Sequence, residues 1–493
     1  MYLYKKNINT ILLTNLVFSF LPISFILGNL AINATSVLFC CLGIFHLRSK
    51  IFTTQFNFYI KLIFLLFFII FFSTSLSFIR STFYEGYEYI HLVRLAKSII
   101  FFRFLLMLII IYLLNEFNII NFKYFFLTAT FSSLLVSLDV TYQYFFGFNI
   151  TGFKSHILYN SSFFGDEIVA GSFIQRFSCF SIFCVAYIFN NKNNYRFILT
   201  TFTVCILGAG VLLAGNKMPL IIFLFGLLLI FLFRIKFKKI ILASIIFLAL
   251  IFNSIFSSDK IFENKLTSFF GNAVLVVGKL INTSGNIEKL ENLFIEENEN
   301  LKATWKKTKN DQILIENEAY WRFSPEVLSH DLDYFWVNRF GLRTQAQNTG
   351  HRWLYYTALD TWRLHKIFGN GLKSFRIDCE KFMGYPYFKQ RLCSSHPHNY
   401  YLEILTETGI IGFSLSIVFA AIFLAYLFKN FKSFKGKSFE EYILLSAAIS
   451  LFMELFPLKS TGSLFSTGSA TYIILITSIL LCHKKLIKTK NPK

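Results

Sequence analysis

Long apolar runs joined by short polar segments recur along this chain from Ile8 to Cys482, and the rhythm is interrupted once, over residues 257–397. A hydrocarbon layer about 30 Å thick is crossed by about 20 apolar residues at about 1.5 Å of helical rise each. On that measure the pattern predicts spans at 8–28, 30–46, 57–79, 98–118, 122–146, 169–190, 196–215, 217–234, 238–256, 407–428, 439–457 and 468–483. The expected fold is therefore an all-α polytopic membrane protein of about 12 transmembrane helices. Residues 1–256 carry about 9 spans, 257–397 form one large loop, and 398–493 carry about 3. Ile8 to Leu27 is long enough to span and has no clear small-residue cleavage site, so it reads as the first helix and not as a removable signal. The second span is short and two others meet at Gly215–Asn216–Lys217, so broken or tilted helices are expected. No internal repeat is visible, which weighs against a secondary transporter.

Two segments depart from this rhythm. Residues 80–97 set Arg80, Glu85, Glu88, His91, Arg94 and Lys97 among Tyr84, Tyr87, Ile90, Leu92 and Leu95, and read as an amphipathic stretch resting in the interface. In the large loop, Lys260 to Glu316 has few apolar anchors, includes the charged run Asn286 to Asn310, and is expected to be mobile. The loop's second half differs. His351 to Lys366 has helical spacing, and Gly369–Asn370–Gly371 stops it.

Composition agrees with a membrane setting: 55% of the 493 residues are hydrophobic and 15% charged, with mean hydropathy +0.55. The net charge of +21 raises the question of nucleic acid, and its distribution answers it. Lys5 and Lys6, Arg48 and Lys50, Lys123, Lys192 and Arg196, Arg234 to Lys239, Lys429 to Lys437, and the Lys484 to Lys493 tail fall in alternate short loops. This is a positive-inside pattern with both termini cytoplasmic, and not a basic groove for nucleic acid. Six of the eight cysteines lie in or beside spans. Cys379 and Cys393 lie in the large loop, where a disulfide and two thiols both remain open.

The segment most suggestive of chemistry is His396 to Phe413, where a polar cluster runs into an apolar span. A helix starting after Pro397 would place Asn399, Glu403 and Glu407 at i, i+4 and i+8 on one face, with His398 at its mouth. Ionisable side chains at membrane depth cost about 2.5–3.5 kcal/mol on insertion scales, so they persist where they pair or work. His398 alone could equally be a hydrogen-bonded structural histidine. His396 and His398 lack a third clustered ligand for zinc, and no GxxxxGK[ST] motif is present.

The same segment resembles the O-antigen ligase and O-antigen polymerase family. His398–Asn399 matches the His–Asn pair closing that family's loop, and Glu407–Thr408–Gly409–Ile410–Ile411–Gly412 its acidic–x–Gly–x–x–Gly element. Asp139 to Gly147, Phe164 to Glu167, Gly171 to Phe173, Gly350 to Trp353, Gly369 to Gly371, Phe456 to Leu458 and Gly462 to Phe465 occur in the family's order. The resemblance implies a GT-C-like membrane glycosyltransferase, independent of metal and ATP and without a cofactor. It implies a glycan donor on undecaprenyl pyrophosphate and a sugar hydroxyl of lipid A–core as acceptor, brought together in membrane lipid at the periplasmic face of the inner membrane. A polymerase joining repeat units on the same carrier, or a non-catalytic export protein, are the alternatives.

By this resemblance His398 is the candidate base, and Arg352, Lys217 and Arg176 are candidate pyrophosphate ligands. Lys217 departs from the family's usual arginine and loses bidentate geometry. Arg176, placed within a span, is expected to pair with Asp139 or Glu454. Asn399 and Glu407 are supporting residues, Glu407 either orienting His398 or the neighbouring backbone or, more simply, serving helix entry near Gly409. The charge pattern predicts that Asn286→Cys is labelled by a membrane-impermeant thiol reagent once the outer membrane is permeabilised. Protection of that site would reverse the topology.

Overall fold

The computed structural model describes residues 8–84, 88–155, 159–258, 350–382, 391–431, 438–460 and 462–482. The segment 260–316, with its charged run, and the Lys484 to Lys493 tail lie outside the described residues. Within the described residues the chain is helical and holds no β-strand. Nine helices among them are long and apolar enough to cross a membrane: Asn9–Ile26, Asn29–Leu47, Phe58–Thr82, Tyr89–Glu116, Phe122–Phe146, Ala170–Ile188, Asn193–Leu213, Lys238–Ile255 and Tyr400–Ala425. The other three expected spans coincide with shorter helices, Lys217–Phe233, Phe439–Glu454 and Thr467–Leu481. The first span bends: Ile8–Ser19 gives way to Leu21–Ile26, where Pro22 occupies the opening turn and has no N–H to offer the helix before it.

Two compact units are distinguished. One comprises residues 1–248, 358–378 and 395–493; the other comprises 249–357 and 379–394. In the first, Ala170–Ile188 lies between Phe122–Phe146, Asn193–Leu213, Lys217–Phe233 and Phe439–Glu454. Ile174, Phe177, Phe180 and Phe183 of this central helix are fully buried, and Phe177 meets Phe25, Phe173, Phe180 and Tyr472. Outer helices such as Lys238–Ser258 present Leu242, Ile246, Phe247 and Leu250 outward, the surface a lipid solvent favours. In the second unit Cys379 and Cys393 are joined by a disulfide, Cα atoms 5.2 Å apart, which resolves the pairing left open by the sequence.

The expected loop helix is present as Gly350–Leu364. The turn beyond Leu364 does more than end it. The Gly369 N–H closes on His365 O at 2.9 Å, and the next two N–H groups leave for another helix: Asn370 N donates to Thr406 O at 3.0 Å and Gly371 N to Glu407 O at 2.8 Å. In return Ile410 N donates to Lys366 O at 2.9 Å and Ile411 N to Ile367 O at 3.3 Å. The helix thus entered is Tyr400–Phe431, which breaks at Gly409 with φ 66° and ψ −169°. The break frees backbone groups that would cost several kcal/mol each if left bare among apolar side chains. The 366–371 segment supplies their partners.

Two further helices clamp this splice. Ser73 Oγ donates to Glu407 O at 2.7 Å and to Phe368 O, Thr74 Oγ1 accepts from Leu372 N at 2.9 Å, and Arg80 Nη2 donates to Gly369 O at 2.8 Å. Arg94 donates through Nε to Leu372 O at 3.1 Å and through Nη2 to Asn370 O. The interfacial stretch expected at 80–97 is therefore corrected: it ends the Phe58–Tyr84 helix and opens the Glu88–Glu116 helix, with His91 and Arg94 buried. The loop carbonyls of Gly369, Asn370 and Leu372 need donors, and the two guanidinium groups supply them.

A Cβ on Gly409 would lie 2.2 Å from Ile367 O, whereas one on Gly147, also at positive φ, would meet nothing within 4 Å. Gly147→Ala should therefore cost only the left-handed backbone penalty of about 1–2 kcal/mol. Gly409→Ala should cost distinctly more, measured as thermal unfolding of the purified protein in detergent. Equal losses would show that the close approach contributes nothing.

Candidate functional site

The helix carrying the polar cluster begins at Tyr400, with Asn399 as its cap: Asn399 Oδ1 accepts from Tyr401 N at 3.0 Å and Leu402 N at 3.2 Å. The preceding residue, His398, has φ 55°, a left-handed conformation that a residue with a Cβ adopts at a cost of about 1–3 kcal/mol. The conformation is over-determined by buried Pro397 on one side and the Asn399 cap on the other. His398 is half-buried, and its ring centroid lies 4.2 Å from that of His396. His398 is thus an imidazole at the mouth of a helix, held at positive φ with part of its surface open.

The head of this helix is stitched to the segment 455–466. Asn399 Nδ2 donates to Pro457 O at 3.0 Å and Tyr401 Oη to Leu455 O at 2.5 Å. Glu403, 2% exposed, accepts from Ser463 Oγ at 2.5 Å and Leu464 N at 2.6 Å. The expected polar face thus does not converge on His398; its members reach three different places. Glu407 sits beside the Gly409 break, and its Oε2 has no hydrogen-bond partner among the described residues. Lys373, from the loop after the splice, lies within electrostatic reach of Glu407 and Glu403. Burial pulls its ammonium below the ordinary lysine range, with Arg376 and Lys97 adding to that shift and the two carboxylates opposing it.

Arg176 and its partners complete the assembly. Its Nη2 donates to Glu454 Oε1 at 3.0 Å, Ser469 Oγ at 3.0 Å and Tyr400 Oη at 3.3 Å. Glu454 Oε1 also accepts from Tyr400 Oη at 2.8 Å, and Glu454 Oε2 from Lys459 Nζ at 2.5 Å. Of the two carboxylates expected to pair with Arg176, Glu454 does so. Asp139 is engaged elsewhere, accepting from Ser162 Oγ at 2.5 Å and Ile150 N at 2.9 Å. Sequence reasoning missed Lys459. It stands next to the family-like Phe456–Pro457–Leu458, and the available signal was Glu454, a carboxylate ending an apolar run and so in need of cations. Burial pulls the Lys459 ammonium down to about 8 although Glu454 opposes the shift.

Residues 202–417 match the O-antigen ligase family. No curated protein matches the chain. The family suggests a ligase or polymerase role on lipid-linked glycans, and with the apolar helices it implies a multi-pass membrane protein of lipopolysaccharide biosynthesis. The match takes in Lys217, Arg352, His398, Asn399 and Glu407, and leaves Arg176, Glu454 and Lys459 outside it.

Lys217 and Arg352 are the other candidate cations, both within the matched segment. Lys217 opens the Lys217–Phe233 helix after Gly215 at φ 80° and the capping position Asn216, whose Nδ2 donates to Ile168 O at 3.3 Å. It therefore adds an ammonium to a helix N-terminus, where the backbone N–H groups already favour an anion, near the start of the helix that carries Arg176. Arg352 lies in the first turn of Gly350–Leu364, and its side chain is outside the described residues. The family-like loop after Phe122–Phe146 is held by Asn149, whose Oδ1 accepts from Thr151 N and Phe153 N and whose Nδ2 donates to Ser162 O. Gln143 accepts from Ser162 N, and Asn160 ties the loop to Leu213 O. These residues serve loop structure.

Proposed function

We propose that this protein is an O-antigen ligase-like glycosyltransferase. It moves a glycan from undecaprenyl pyrophosphate to a sugar hydroxyl of lipid A–core at the periplasmic side of the inner membrane. The observation that carries the proposal is His398: half-buried, held at positive φ, and followed by the Asn399 cap and by Tyr400, which reaches Glu454, inside the segment that matches the ligase family. The Cys379–Cys393 disulfide favours an oxidising compartment for the loop.

In the reaction, neutral His398 takes the proton of the acceptor hydroxyl as its oxygen bonds to the anomeric carbon. The bond from that carbon to the pyrophosphate oxygen breaks, its electron pair leaves with undecaprenyl pyrophosphate, and the proton stays on the imidazole. An imidazole with an ordinary value near 6.5 suits this step at neutral pH. The leaving diphosphate gathers negative charge, and cations preorganised near the bond lower the barrier. Arg352 would hold it through a planar fork, with Lys217 and Arg176 adding charge. Asn399 caps the helix that follows His398, and the Glu407 carbonyl takes part in the splice at the bend.

His398→Ala should lower transfer by about 10²–10⁴ while the protein still inserts and binds donor, whereas His396→Ala should retain most activity. The measurement is in vitro transfer by purified variants from an undecaprenyl pyrophosphate-linked glycan. Turnover kept in His398→Ala, or a larger loss in His396→Ala, would overturn the assignment. In the same assay Arg352→Lys should lose most activity if a fork is needed, and Lys217→Arg should be tolerated. Product length distinguishes single transfer from repeat-unit polymerisation.

A further inference from the structure

The Arg176–Glu454–Lys459 cluster carries more cation than its own structure requires. One carboxylate faces a guanidinium and an ammonium, a surplus of one positive charge in a place where Lys459 is 7% exposed and Glu454 1%. Arg176 with Glu454 alone would form a neutral pair, so Lys459 is the surplus. Its hydrogen bonding is also incomplete. An ammonium has three N–H donors, and the acceptor that Lys459 meets among the described residues is Glu454 Oε2, which leaves two donors. Arg176 Nε is likewise buried without a hydrogen-bond partner among the described residues. Buried charge and buried donors of this kind persist where an anion completes them.

The cluster is also well placed for the chemistry. Tyr400, two residues after His398, donates its hydroxyl to Glu454 and sets its ring 6.0 Å from Lys459 Nζ. The backbone on either side of Lys459 is fastened to the same helix head through Asn399 with Pro457 and Glu403 with Ser463 and Leu464. We infer that Lys459 and Arg176 form a buried anion site that takes a phosphate group of the polyprenyl diphosphate donor, Glu454 holding both cations in register. This rests on the proposed function above. A phosphate supplies the acceptor oxygens that the remaining donors need, and its charge balances the surplus.

The test is binding of undecaprenyl pyrophosphate to the full-length protein in nanodiscs of phosphatidylcholine, with a parallel arm in phosphatidylglycerol. Lys459→Met leaves the neutral Arg176–Glu454 pair and a side chain of similar length, so it should fold; Lys459→Gln guards against a packing loss. Both should raise the Kd about tenfold or more, while Lys459→Arg should stay within about threefold, as expected for loss or retention of a charge-assisted contact. Equal Kd in wild type and both neutral variants would overturn the Lys459 site and leave the proposed function standing. No binding by the wild type would overturn both. Unchanged diphosphate binding with loss of wild-type retention of phosphatidylglycerol would assign the site to a bilayer phosphate and overturn the donor assignment.

Discussion

The freed backbone groups at Gly409 set the terms for this end of the helical body. A helix that breaks among apolar neighbours must find other partners for its N–H and C=O groups, since water is not there to supply them. The chain solves this by threading 366–371 into the break, exchanging four backbone hydrogen bonds between Lys366, Ile367, Asn370 and Gly371 on one side and Thr406, Glu407, Ile410 and Ile411 on the other. The approach is so close that a methyl group at Gly369 would lie 2.5 Å from the Glu407 carbonyl carbon. The carbonyls left over at the crossing account for Arg80, Arg94 and Ser73, and the Leu372 N–H for Thr74, on two largely apolar helices.

A second constraint, of charge, acts at the head of the same helix. Glu403, Glu407 and Glu454 are all buried, and each has a different solution. Glu403 is satisfied by a serine hydroxyl and a backbone N–H, so it serves as an anchor for the 455–466 segment. Glu454 is satisfied by cations and by Tyr400. Glu407 is held at the break, where its own carbonyl takes part in the splice. Anchor, counter-ion and hinge are three distinct uses of one residue type within a short stretch of structure.

The functional consequence is a division of labour. The groups around His398 are committed to hydrogen bonds that fix backbone, while His398 retains exposed surface and a strained turn. The base role proposed for His398 asks for a group rigidly aimed and still reachable, and a capped helix head pinned to a neighbouring loop is suited to both demands. Under the proposed function the donor's anionic group needs cations that are in place before it arrives, and the shared carboxylate of Glu454 holds Arg176 and Lys459 together.

Much of this was legible in the residue pattern. Apolar run length is a local property, and nine of the expected spans coincide with helices long and apolar enough to cross a membrane, the other three with shorter helices. The Gly350–Leu364 helix, the Gly369 stop, the polar mouth at His398 and the ligase-family resemblance were likewise present in short stretches of sequence. What the sequence left undecided was partnership. Glu454 and not Asp139 takes Arg176, Arg94 turns inward to carbonyls 276 and more residues away, Lys459 joins the cluster, and Cys379 finds Cys393. Gly409 reads as one glycine of a repeated motif until the 366–371 segment lies across it. Helical periodicity reports which face is apolar, but a hydrogen bond or ion pair between distant segments is chosen by which groups packing leaves without water, and that is settled only when the helices assemble.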